Sequence, residues 1–347
     1  MRLRVLLPCL LAAALASPAL AQLPDLRREE QPTPQELERA RRQAEAWEAY
    51  VLRVARALGR SDGARDLALA TLLDAGARAP DGDAPAPASA EAVRWREAAT
   101  ARGAGDVITQ QLLLAAGLAS GDQALAAAAA RRWQQLAPGN LAPRVLQGLA
   151  PEVLLAAAAQ SDHNSPDPYP LQRWIASALR PHSPTAADWA AFGEGARPSA
   201  QAHAALWASS LAAVLVPDYR GVLGACTGRP LRAPGRTEAC RQLSSLLLAR
   251  PQTVLDEQIG LSLARALSRS AAERAPLDAR RRGVDWRQEQ MAGLAERGEG
   301  GDGEAFARAL ADPSVQSDDA LVRRLLSEAR LAQEPPPDWL APWERRR

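Results

Sequence analysis

The chain is 347 residues long and carries 42 basic against 40 acidic side chains, a formal charge of +2. All the basic charge is arginine; with no lysine, Schiff-base lysines, Ser–Lys dyads and the lysine of a phosphate-binding loop are excluded. A charge this close to zero gives no electrostatic footprint for nucleic acid, and no apolar run reaches the ~20 residues of a membrane span.

Residues 1–21 read as an export signal. Arg2 and Arg4 form a basic start, Val5 to Leu15 is apolar, and Ala19-Leu20-Ala21 offers small residues for cleavage after Ala21. Cys9, just after Pro8, comes too early for a lipid anchor. The expectation is a periplasmic or secreted protein starting at Gln22. Losing Arg2 and Arg4 takes 42 basic residues to 40, level with the 40 acids. Cys226 and Cys240 then remain, and an oxidising compartment predicts that they pair, at roughly 3 kcal/mol for a loop of this size.

Residues 22–77 read as a helical hairpin behind a loose lead-in, Gln22 to Pro32. Thr33-Pro34-Gln35-Glu36 is a capping box with proline in the first turn. Leu37, Ala40, Ala44, Trp47, Val51, Val54 and Leu58 follow at spacings of three and four, an apolar stripe on a helix ending near Gly59. Ser61-Asp62 suits the cap of a second helix, Ala64 to about Ala75. Residues 78–88, beginning RAPDGDAPAP, are a Pro/Ala linker.

Residues 89–332 read as helix after helix. Ser89 caps one through Trp95. Val107–Asn140 is a hairpin with its turn at Ser120-Gly121-Asp122 and its close at Pro138-Gly139-Asn140. Leu141 to Leu149 and Pro151 to Gln160 form two short helices. Ser161 to Pro170 is taken as a loop because of its prolines. Helices are then predicted over Leu171 to Leu179, from Ser183-Pro184 through Trp189 and Phe192, and from Ser199 to about Val216. Asp218 to Cys226 is a short helix or turn, and Thr227 to Arg236 is a Gly/Pro/Arg loop. Further helices run from Thr237 to Leu248, Thr253 to Arg269 and Leu277 to Arg297. The last two, after a Gly-rich break, are Glu304 to Ala311 and Ser317-capped Asp318 to Ala332. Residues 333–347 are a Pro/Trp/Arg tail.

The Val107–Asn140 hairpin resembles a tetratricopeptide-type repeat over about one repeat. Leu113, Ala126, Leu136, Pro138 and Asn140 match that family's positions; Gln110, Leu114, Gly117, Ala130 and Trp133 depart from them. The resemblance implies stacked antiparallel helical hairpins, a TPR-like α-solenoid in an all-α protein, with its concave face as a binding surface.

The remaining side chains offer few catalytic patterns. His163, His182 and His203 are not spaced as metal ligands, so no metal or cofactor is expected. His163 lies in a polar loop with Asp162, Asp167 and Tyr169. Glu194, between two glycines, and the acidic run Glu299 to Glu304 read as surface turn and linker. Elbow, zincin and CxxC motifs are missing from the sequence. Arg229, Arg232 and Arg236, in the loop between the cysteines, suit a carboxylate or phosphate on a partner. Trp339 and Trp343 dock either in the protein's own groove or in a partner's. The sequence thus favours an exported, non-enzymatic protein-interaction or assembly scaffold. The alternative is a cell-wall glycan hydrolase or lyase using paired carboxylates on the helical scaffold.

Overall fold

The computed structural model describes residues 33–78, 88–193, 197–297 and 303–345. The export signal, residues 79–87 of the linker, Glu194 and residues 299–302 lie outside the described residues. Among those described the protein is all-helical, with no strand and one isolated bridge between Asn140 and His163. No described helix is long and apolar enough to cross a membrane.

In chain order the helices are α1 (Pro34–Leu58), α2 (Ala64–Ala77), α3 (Ala90–Arg102), α4 (Val107–Ser120), α5 (Gln123–Leu136), α6 (Ala142–Val145), α7 (Pro151–Ala158) and α8 (Pro168–Leu179). There follow α9 (Ala186–Phe192), α10 (Ala200–Ala212), α11 (Arg220–Ala225), α12 (Arg236–Ala249), α13 (Val254–Leu267), α14 (Ala271–Arg297), α15 (Glu304–Ala311) and α16 (Asp318–Glu328). They form two compact units, Met1–Leu136 with Trp174–Leu215, and Ala137–Arg173 with Val216–Arg347.

In the first unit, α1 starts on the expected box: Glu36 N–H donates to Thr33 Oγ1 at 3.3 Å and Thr33 N–H to Glu36 Oε2 at 2.8 Å. Only the second half of its stripe is core. Tyr50, Val51, Val54 and Leu58 are buried, whereas Leu37 is 56% exposed. α2 is buried from Leu67 to Asp74 and packs on α1, α3 and α4. Its start differs from expectation: Ser61 Oγ is spent on Gly63 N–H and Asp66, so the cap is Gly63 without a side-chain bond. Gly76 lies inside it. Buried Asp74 seats the next helix by accepting from Ser89 Oγ at 2.9 Å. Asp106 caps α4 at Thr109 N–H and takes both arms of Arg65 at 2.9 and 2.7 Å. Gly121, at φ 69°, ends α4 in the left-handed region that glycine tolerates, and the chain turns into α5.

In the second unit, Asn140 organises the loop before α8. Its Oδ1 accepts from the N–H groups of Ala142 and Ser165, and its Nδ2 donates to the Ser165 carbonyl. That loop is shorter than the prolines suggested. Pro168 and Pro170 lie in the first turn of α8, where their missing N–H groups have no intrahelical partner to lose. α9, which belongs to the first unit, is capped by Thr185 through a box with Asp188, not by Ser183. α14 begins at Ala271, ahead of Pro276, because Ser270 Oγ accepts from Glu273 N–H and Glu273 takes Arg269 N–H. α16 stops at Glu328: Arg330 adopts φ 56°, and Leu331 N–H closes back on Leu326 C=O at 2.8 Å. The core of this unit gathers Leu154, Leu155, Val222, Leu243, Leu247 and Leu263 around the two cysteines.

Candidate binding surface

Cys226 ends α11, Cys240 lies in the second turn of α12, and they are joined by a disulfide across 5.8 Å between Cα atoms. Both are fully buried, so the bond is a structural staple rather than a reactive pair. The loop it closes carries the three arginines. Arg229 and Arg232 are exposed ends of a short 3-10 turn. Arg236 opens α12 and pairs with Glu152 of α7 at 3.3 Å.

An open groove of about 480 Å3 runs beside this element, along α12, α13 and the start of α14. Leu248, Leu267 and Leu277 give it an apolar floor; Arg241, Ser245 and Glu273 give it polar edges. Its position follows from the sequence. Ser244 turns inward and donates to the Gly260 carbonyl at 2.8 Å, which brings α12 and α13 together along Leu247 and Gly260. Glu273 is the one carboxylate in its lining.

Three acids whose ionisation burial opposes, Asp256, Asp285 and Asp318, lie elsewhere. Asp256, in the first turn of α13, is 1% exposed; Tyr219 O–H donates to its Oδ1 at 2.6 Å, and its Oδ2 is buried without a partner among the described residues. Burial raises its pKa from 3.8 to about 6. Asp318, first in α16, takes Tyr169 O–H at 2.6 Å and Val254 N–H at 2.7 Å, and burial raises its pKa too. These pairs tie α8, α11, α13 and α16 together from inside. Neither lines the groove.

The tail segment from Gln333 to Arg345 lies on α14. Trp339 is 9% exposed and meets Trp286 edge-on, ring centroids 5.4 Å apart. Trp343 Nε1–H donates to Asp285 at 3.1 Å, and its ring lies 5.2 Å from the Arg265 guanidinium and 5.7 Å from that of Arg281. Arg282 binds both the Trp339 carbonyl and Glu344.

In the first unit the histidines separate in role. His203 is buried among Trp47, Trp189 and Trp207, with Nε2 3.1 Å from Tyr50 Oη. Tyr50 O–H donates to the His182 carbonyl at 3.1 Å. Burial drops the His203 pKa from 6.5 to about 4, a neutral core imidazole. His163, in the second unit, touches the Asp162 carboxylate beside it. No metal-ligating cluster occurs among the described residues. Sequence reasoning missed Asp256, Asp318 and the α14 cradle; their partners lie far along the chain, so no local spacing marks them.

No known protein family, curated protein or solved structure matches this chain.

Proposed function

We propose that the chain is an exported, non-enzymatic scaffold for protein interaction or assembly, built from TPR-like hairpins in solenoid fashion. Within the first unit, α2 packs on α4, two elements along, as stacked hairpins do. The observation that carries the interaction reading is the groove, with its apolar floor and polar edges, the surface chemistry that partner helices and extended segments use. Glycan cleavage would instead need two carboxylates facing one cleft, roughly 5 to 9 Å apart.

The test is photo-crosslinking in the producing cell, with the probe at Ser245 and a control probe at Arg330. A discrete partner adduct from Ser245 that disappears in Leu248→Asp is expected. An adduct pattern identical at both positions would overturn the reading. Arg229→Ala with Arg232→Ala tests whether the stapled loop contributes to the same adduct. Fractionation with and without residues 1–21 tests export.

A further inference from the structure

The α14 cradle has an occupant whose fit is visible, the segment Pro335–Arg345 of the same chain. What shapes that segment lies within it. Trp339 N–H donates to Pro336 C=O at 3.1 Å, Ala341 N–H to Glu344 Oε2 at 2.7 Å, and Glu344 and Arg345 N–H to Ala341 C=O at 2.8 and 3.1 Å. Arg345 Nε–H donates to the Leu340 carbonyl at 2.7 Å. Three consecutive prolines, Pro335 to Pro337, restrict the approach, and Pro337 sits in the turn that the Trp339–Pro336 bond closes.

What docks it is side-chain chemistry. Trp339 sits on Trp286, Trp343 between Arg265 and Arg281, Glu344 on Arg282, and Arg345 on Glu289 at 3.1 Å. The segment is therefore a plug in a socket of stated chemistry: cationic walls for two tryptophans four apart, with a guanidinium for the acid that follows.

The joint between plug and body is strained. Arg330 occupies the left-handed region without being glycine, at φ 56°.

We propose that the socket on α14 also receives the Pro335–Arg345 plug of a second copy of this chain, so that two copies exchange plugs reciprocally. Every contact named above is preserved on exchange, and only the joint changes. An identical segment with a strained joint is the condition under which swapping costs least. Against it stands the effective concentration of the tethered plug, on the order of millimolar. Exchange therefore belongs to crowded or locally concentrated protein, not to dilute solution. This does not depend on the groove beside α12.

Two full-length variants test it directly. Trp339→Ala with Trp343→Ala has a socket and no plug; Arg281→Glu with Arg282→Glu has a plug and no socket. Mixed at high concentration, with helicity checked by circular dichroism, they are expected to form a one-to-one complex by light scattering that neither forms alone. Wild-type chains carrying two different tags provide an arm without socket or plug mutations. After incubation near the millimolar range they should capture one another, and a synthetic Pro335–Arg345 peptide should abolish that capture. Overturning results are wild-type capture that the peptide leaves unchanged, or no capture in the wild-type arm together with no complex from two folded variants.

Discussion

Tyr50 shows how a single hydroxyl can hold a buried polar pair together. With His203 neutral, one arrangement satisfies both groups: imidazole N–H donating to Tyr50 Oη, and Tyr50 O–H donating to the His182 carbonyl. Tyr50→Phe keeps the ring inside its aromatic setting but leaves two partners unpaired, the buried His203 ring and the half-buried His182 carbonyl. The expected loss is about 1–3 kcal/mol in denaturant unfolding, with an unchanged m-value. A variant within ~0.5 kcal/mol of wild type would show that the link contributes nothing measurable.

Gly117 and Gly76 make a matched pair of helix positions. A Cβ on Gly117 of α4 would lie 2.6 Å from the backbone nitrogen of Ala126 on α5, and backbone cannot swing aside. A Cβ on Gly76 of α2 would meet nothing within 4 Å. Alanine gains at most about 1 kcal/mol of helix propensity at either site. Gly76→Ala is therefore expected to raise the melting temperature by a few degrees. Gly117→Ala should lower it, because overpacking costs about 1–3 kcal/mol. Equal effects would mean that α4 and α5 do not approach as closely as described.

The disulfide acts at this same scale. Its cysteines are 14 residues apart, and opening the bond should remove roughly 3 kcal/mol from the second unit. Denaturant titration with and without reductant reads the loss.

Helices were legible wherever the signal was local. Thr33 with Glu36, Ser89, Ser199 and Ser317 all cap the helices that their spacing marked. Boundaries differ where one residue has two uses, as at Ser61, or where prolines sit in a first turn that needs no N–H, as at Pro168 and Pro170. The cysteine pair was legible because the expected removal of residues 1–21 leaves two cysteines and so one pairing. The buried acid–tyrosine pairs were not, since 37 and 149 residues separate their members.

At the scale of the molecule, the two units carry buried groups of opposite sign logic. In the first, His203 has a folded pKa of about 4, below its usual 6.5. The unfolded chain takes up the proton first as pH falls, so the stability His203 contributes above ~6.5 is lost on the way down to ~4. In the second, Asp256 has a folded pKa of about 6, above its usual 3.8. The folded chain takes up the proton first, so stability is gained as pH falls through ~6 and lost as pH rises. Asp318, also raised, acts in the same direction. For His203 and for Asp256 the displacement corresponds to about 3 kcal/mol by linkage. Between pH 7 and pH 5 the first unit should therefore loosen and the second tighten. Hydrogen-exchange protection, corrected for the intrinsic rate at each pH, resolves the units separately: slopes of opposite sign are expected. Asp256→Asn should reduce the second slope, Asp318 keeping its share, and leave the first; His203→Gln should reduce the first and leave the second. Slopes of one sign in wild type would mean that burial of these two side chains does not govern the response to acid.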